Sequence, residues 1–397
     1  MSLFYAPFTD IPKGFRNEML DDIFKASEKG QSLQVVGPKR FGKSLSFRLI
    51  ESFQTDIYKE RGIKNTSIYL SNLDLLSEKT TNSAVKYLFG RLIGLDPFKD
   101  LDGASLTNRL QEYFKKLKSE GKKIIIIIDN FEKLRFFGQK DIFDLLWAIY
   151  TNNSQNVSYV FAFDNEIDKT EAISLYGDLG RLISEKVIHF KPFEVHESKW
   201  FLDSTCKMAE IEIDSETKKM IIDVSGGYSF CIKRLVEAYS EGLDIDEIIK
   251  NPAISPSLNY NFDSLYNDVY KITSNNQKLV DCGVLKSDGK FVCAVFENYI
   301  KLKETQKTKQ SSDSVGDIDI NQNLTASEHK ILQILNANLN KICARDEIIE
   351  KLWGENALGD ISDHALDQII SRLRKKLIGS KANLETLRGR GYRLSIS

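Results

Sequence analysis

Five short runs of strand-forming residues mark the first half of the chain: Leu33–Val36, Ser67–Leu70, Ile124–Ile128, Tyr159–Phe163 and Val187–Phe190. Between them, across Lys43–Gln54, Asn82–Ile93, Leu106–Ser119 and Asp141–Tyr150, apolar residues recur at three- and four-residue spacing. That is the period of a helix with one buried face. A similar segment, Glu18–Lys29, leads into the first run. Strands alternating with helices in this way predict a mostly parallel α/β sheet. Ile124–Ile128 is the longest aliphatic run, long enough for a buried strand and far too short for a membrane span.

Beyond Pro192 the pattern changes. Glu197–Ile249 reads as helical, interrupted by "SGGYSF" at 225–230. Phe262–Leu302 predicts a helix, a hairpin turning at Asp288–Gly289, and a second helix. The stretch 303–323, rich in Ser, Asp, Gln and Lys, has the composition of a flexible linker. The expected divisions are therefore 1–194, 195–260, 261–302, the linker 303–323, and a small terminal domain at 324–397. No internal repeat interrupts this order.

Composition narrows the function classes. The 397 residues are 42% apolar and 28% charged, the balance of a soluble globular protein of two or three domains. The five cysteines are scattered and never CxxC-spaced, and the four histidines are dispersed, so reduced thiols are expected and a metal cluster is not. The opening MSLFYAPFTDIPKGF has no basic stretch followed by an apolar one, so a cytoplasmic protein with no membrane partner is expected. Net charge is only −1, yet residues 371–394 hold eight lysines and arginines against one glutamate.

Gly37-Pro38-Lys39-Arg40-Phe41-Gly42-Lys43-Ser44 fits the phosphate-loop pattern G-x-x-x-x-G-K-[ST] at every position. Glycine lets backbone N–H groups wrap phosphate oxygens where a Cβ would collide. Lys43 supplies a charge for the β- and γ-phosphates, the Ser44 hydroxyl a ligand for Mg²⁺, and the following helix the positive end of its dipole. The buried strand "KKIIIIIDNFEKL" ends in Asp129, a carboxylate suited to hold Mg²⁺ through water. An intervening strand at 67–70 matches the spacing of P-loop NTPases with an inserted strand. In these the water-activating glutamate follows the aspartate directly. Here Asn130 holds that place and Glu132 is the nearest acid, so a slow ATPase is expected. The sequence contains no Asn-Lys-x-Asp guanine-reading motif, which favours ATP over GTP.

"GFRNEMLDDI" before the first strand resembles the lead-in of STAND ATPases and related archaeal and bacterial AAA-like ATPases. Arg16 and Glu18 match it, with the glycine displaced to Gly14, and the resemblance implies that Arg16 helps seat the nucleotide. "SLYGDLGRLISEKVIHFKPFE" is similar to their segment carrying a phosphate-sensing arginine, here Arg181. "GGYSF" resembles their Gly-Gly-x-Pro turn, with Ser229 in place of the proline. Segment 262–302 is similar to the winged helix that often follows. In such proteins ADP holds a closed state, and ATP with a signal opens it, often with oligomerisation.

Residues 324–397 resemble the winged-helix DNA-binding domain of OmpR/PhoB-type response regulators over their full length. "LTASEHKILQIL", "ARDEIIEKLWG", "ISRLRKKL" and "LRGRGYRL" carry the match. Leu324–Glu328 offers caps for a first helix whose Ile331, Leu332, Ile334 and Leu335 face a core. In a third helix, Ser362–Leu377, the residues Leu366, Ile369, Ile370, Leu373 and Leu377 form a buried stripe. Gln368, Ser371, Arg372 and Lys375 then point outward, as on a groove-entering helix. Arg374 flanks the stripe within reach of phosphates or acidic neighbours, and Arg388, Arg390 and Arg393 on a terminal hairpin would meet the DNA backbone or minor groove.

The whole chain is thus expected to be an α/β P-loop NTPase sheet with a helical subdomain, followed by winged-helix domains. Its expected partners are ATP, Mg²⁺, double-stranded DNA, an unknown signal ligand or protein, and a second copy of itself on ATP binding. A nucleotide-gated transcriptional regulator is the leading reading. The alternatives are an ATP-dependent DNA-remodelling or loading ATPase, and a STAND-type defence sensor acting on a protein.

Overall fold

The computed structural model describes residues 8–73, 81–94, 103–137, 140–272, 276–312, 324–353, 363–377, 380, 382–387 and 391–396. The chain divides into two compact units, Met1–Ile300 and Lys301–Ser397.

In the first unit β1 (Leu33–Val36), β2 (Thr66–Asn72), β3 (Lys123–Asp129), β4 (Val157–Phe163) and β5 (Val187–His189) form one sheet. Its order is β2-β3-β4-β1-β5 and every pairing is parallel. Alternation along the strands separates the two faces. Ile125, Ile127, Val160 and Ala162 point into one core, while Ile124, Ile126, Ile128, Tyr159, Phe161 and Phe163 point into the other. A strand buried on both faces needs an unbroken apolar run, which is why β3 is legible as five isoleucines.

The first face carries α1 (Asn17–Glu28), α2 (Lys43–Ser52) and α3 (Gln54–Arg61). The second carries α4 (Thr81–Phe89), α5 (Gly103–Ser119), α6 (Lys140–Asn153), α7 (Lys169–Tyr176) and α8 (Leu179–Ile183). The helix expected over Lys43–Gln54 stops at Ser52, and α3 begins after Phe53. Gln54 explains the new direction: its Oε1 accepts from Ile68 N at 3.0 Å, tying α3 to β2. The strand inserted between β1 and β3 is β4, whereas the 66–72 strand lies at the sheet edge.

After β5 come α9 (Val195–Ala209), α10 (Ser215–Ser225), α11 (Ser229–Ser240), α12 (Ile245–Lys250), α13 (Pro256–Ile272), α14 (Asn276–Asp281) and α15 (Ala294–Ser312). Their buried residues, among them Phe201, Cys231, Leu235, Phe262 and Phe296, continue the first-face core without a break. Position 194 therefore marks a change of secondary structure and position 260 falls inside α13, and neither is a gap in packing. The hairpin expected around Asp288–Gly289 is reduced to a single Leu285–Phe291 bridge, turned by Gly289 at φ 82°. The expected linker departs further from its composition, because α15 continues to Ser312; residues 313–323 lie outside those described.

The second unit contains α16 (Ala326–Ala337), α17 (Arg345–Trp353), α18 (Asp363–Lys376) and the antiparallel pair β6 (Ala382–Leu387) and β7 (Gly391–Ile396). All five residues of the stripe expected on the third helix are buried. Thr325 caps α16 in a capping box with Glu328, as the sequence pattern suggested. Cys343 pairs with Tyr392, and a Cβ on Gly391 would lie 2.0 Å from the Cys343 carbonyl oxygen, so this crossing needs glycine.

Candidate nucleotide site and nucleic-acid interface

β1 runs directly into the phosphate loop, which ends where α2 begins at Lys43. Two of its glycines are required by packing. A Cβ on Gly37 would lie 2.9 Å from the Phe190 Cβ, and one on Gly42, at φ 91°, would lie 2.5 Å from Ser229 Oγ. Phe41 is fully buried with its ring 4.5 Å from that of Tyr228. Arg40 adopts a left-handed φ of 71°, which costs a non-glycine residue conformational energy and turns the loop sharply.

Lys43 is only 7% exposed. Its Nζ donates to the carbonyls of Gly37 and Pro38 and, at 3.0 Å, to Asp164 Oδ1. Lys39 Nζ approaches Asp164 Oδ2 at 3.6 Å. Asp164, just past β4, thus balances two loop cations; sequence reasoning missed it because no short motif links residues so far apart in the chain. The strand-end "FDN" was the one signal available.

Pro38, Lys39, Arg40, Gly42, Lys43 and Ser44 open onto a cavity of about 940 Å³. Asn130 and Glu132 border it beyond β3, Asp164 and Glu166 beyond β4, and Ser229, Lys233 and Arg234 on α11. Burial, and then the neighbouring Asp164 carboxylate, push the Glu132 carboxyl up to about 7. Asp129 is fully buried and accepts from Asn130 N at 3.1 Å, which fixes the left-handed turn at Asn130, φ 56°. Among the described residues no group of three or more His, Cys, Asp or Glu is arranged to hold a metal alone. Of the two residues expected to hold a cation, Ser44 opens onto the cavity, whereas Asp129 is fully buried and does not line it. The glycine cradle and the buried lysine fit bound phosphates.

Two expected site residues sit elsewhere. Arg16 does not line this cavity. It is buried with its guanidinium 4.4 Å from the ring centres of both Phe190 and Phe193. It donates to Ser46 Oγ, Lys191 O and Pro192 O, and pairs with Glu197 at 3.7 Å. Burial drives it down to about 10, against the attraction of Glu197 and Glu194. Arg16 therefore braces the first helix against α9. The Arg181 side chain is 64% exposed on α8 and pairs with Asp178 at 3.3 Å, away from the cavity lining.

In the second unit, Ser371, Arg372 and Lys375 are exposed on α18. Gln368 belongs to the same helix, with its side chain outside the described residues. Arg374 is exposed as well, but its guanidinium is engaged by the hairpin, donating to Leu384 O at 2.9 Å and Thr386 Oγ1 at 2.7 Å. Arg393 pairs with Glu385 at 2.6 Å. Arg388 and Arg390 lie outside the described residues. Sequence reasoning also missed Glu328 as an electrostatic centre. It is fully buried, accepts from Lys376 at 2.7 Å, and has Arg372 Nε at 3.8 Å. Burial opposes its charge, but Lys376 and the Thr325 cap hold the carboxyl below its usual range.

Residues 26–170 match the family model described as an AAA domain, and residues 320–394 match that of the C-terminal domain of transcriptional regulatory proteins. The heme response regulator HssR of Staphylococcus epidermidis is 42% identical over 74 residues, 18% of this chain and 32% of that protein. The response regulator GraR of Staphylococcus aureus is 42% identical over 84 residues, 21% of this chain and 37% of that one. The chain spans about a third of the length of such curated relatives. Among solved structures, the Aeropyrum pernix ORC2 protein in its ADP form superposes with a TM-score of 0.46 at 13% identity, covering 79% of this chain and 89% of that one. The Walker-type ATPase PABY2304 of Pyrococcus abyssi gives 0.40 at 15%, covering 99% and 97%. The chain joins an AAA-type P-loop ATPase domain to an OmpR/PhoB-type winged-helix DNA-binding domain.

Proposed function

We propose that this protein is an ATP-binding switch that controls its own winged helix, acting as a nucleotide-gated transcriptional regulator. The observation that carries the reading is the placement of a built phosphate loop, with Lys43 and Lys39 balanced by Asp164, in one chain with an OmpR/PhoB-type domain. Gly37–Ser44 would cradle the phosphates, and Ser44 with Asp129 would hold Mg²⁺, which supplies positive charge for the phosphate oxygens. Triphosphate oxygens would take Lys43 and Lys39 from Asp164 and so change the charge balance at the end of β4. Arg372 and Lys375 would meet DNA in the groove or along its backbone. By the resemblance of its lead-in "GFRNEMLDDI" the switch would be STAND-like, with oligomerisation on ATP and an unidentified signal as its regulators. Nucleotide state would then stand where phosphorylation acts in response regulators.

A hydrolytic DNA-loading ATPase is the second reading, favoured by Glu132 in the cavity with its carboxyl at about 7, a value fit for a general base.

Fluorescence anisotropy on duplex DNA, with ATP, ADP or no nucleotide, tests the switch. A tenfold change in affinity, about 1.4 kcal/mol of coupling, is expected in the wild type and lost in Lys43→Ala. Equal affinity in all three conditions rejects it, and large DNA-stimulated hydrolysis without sequence preference favours the loader.

A further inference from the structure

Tyr260 is the most exposed aromatic among the large exposed apolar residues, 66% open to solvent on α13, yet it is not without a neighbour. The Arg40 guanidinium of the phosphate loop stands over its ring at 5.6 Å. Arg40 lines the nucleotide cavity, as does Asn261, the next residue of α13. Three residues on from Tyr260, Asp263 accepts a hydrogen bond from the Tyr299 hydroxyl of α15. Phe262 packs between the two helices, 5.3 Å from Phe296 and 5.4 Å from Tyr299. α15 is continuous from Ala294 to Ser312, and so passes Ile300, where the first unit ends. A loop arginine, one helix and a second helix leaving the ATPase unit therefore form a chain of direct contacts.

We propose that Tyr260 is a positioning residue of the switch: it competes with bound triphosphate for Arg40, and α13 passes the outcome to α15. This rests on the nucleotide-gated reading above. Arg40 is a cation on the loop that wraps the phosphates, and a phosphate oxygen is a stronger partner for guanidinium than an exposed ring. When Arg40 turns to the nucleotide, α13 loses its tether to the loop while keeping Asp263–Tyr299 and the Phe262 packing. Whatever movement follows in α13 is then shared with α15.

Competition fixes the sign of the test. Linkage makes each effect reciprocal, so removing the ring frees Arg40 and tightens ATP binding by the factor that the contact had opposed it. For an exposed cation–π pair that factor is about two- to fivefold. Tyr260→Ala should bind ATP that much more tightly by titration calorimetry, and the nucleotide effect on DNA affinity should shrink by a similar factor. Tyr260→Phe keeps the ring and should behave as wild type in both. Tyr299→Phe should leave ATP affinity unchanged and weaken the coupling alone. Weaker ATP binding in Tyr260→Ala, or unchanged affinity with intact coupling, overturns the proposal. If the wild type itself shows no nucleotide effect on DNA, the gated function fails first and the relay with it.

Discussion

The phosphate loop and α18 are both cationic, but they manage charge in opposite ways. Lys43 is buried and fully engaged, by two loop carbonyls and Asp164. Arg372 and Lys375 stand in solvent, and the nearest carboxylate to Arg372, Glu328, is 3.8 Å away. A buried cation must be paired before any ligand arrives, since an unpaired charge in a dry interior is costly. Its ligand therefore has to displace a partner, which makes binding discriminating. Exposed cations cost little to leave unpaired and gain from a long polyanion by releasing its counterions. The first arrangement would suit a small, specific anion and the second a surface of repeating charge.

The largest effect that would break this contrast concerns Glu132. If it serves as the base for hydrolysis, Glu132→Gln should lower the ATPase rate by roughly a hundredfold or more. Because its carboxyl is raised to about 7, the wild-type rate should climb between about pH 6 and 8 while the variant stays flat. The sign also applies to stability. A carboxyl raised above its ordinary 4.5 favours the folded chain while protonated, and that contribution fades as pH rises through about 7. A steady-state assay across pH checks the rate, and a wild-type rate indifferent to pH would remove Glu132 from the chemistry.

Lys43→Ala should come next. Loss of a charge-assisted hydrogen bond costs about 1.5–3 kcal/mol, or roughly ten- to a hundredfold in ATP affinity by calorimetry. DNA affinity without nucleotide should not move, which sharpens the contrast between the two sites. The smallest effect is in salt. If Arg372 and Lys375 each meet a phosphate, replacing either with alanine should reduce the slope of log affinity against log salt by about 0.9. An unchanged slope with altered sequence preference would assign that residue to base edges instead.

How much of this was legible depended on how local the physics was. The phosphate loop is eight consecutive residues, and the five-isoleucine strand and the stripe of α18 follow periods of a few residues. Asp164 escaped notice because it acts on Lys43 across 121 positions, and only the folded sheet brings β4 beside β1. Arg16 and Arg181 were placed by resemblance. The sequence could not show that Arg16 lies between two phenylalanines or that Arg181 faces solvent. Arg374 was also ambiguous in sequence, since a basic residue beside a buried stripe serves a hairpin carbonyl as well as a phosphate.

The unbroken first-face core has a practical consequence for anyone cutting the gene. A fragment ending at 194 would strip Phe193 of Phe201 on α9, the ring it meets at 5.4 Å, open the first-face core, and would be prone to aggregate. One ending at 260 would strip Phe230 of Phe262, the ring it meets at 5.3 Å. The shortest piece of the first unit that keeps this core whole runs through Tyr299, which makes the helical segments part of its body and not a detachable accessory.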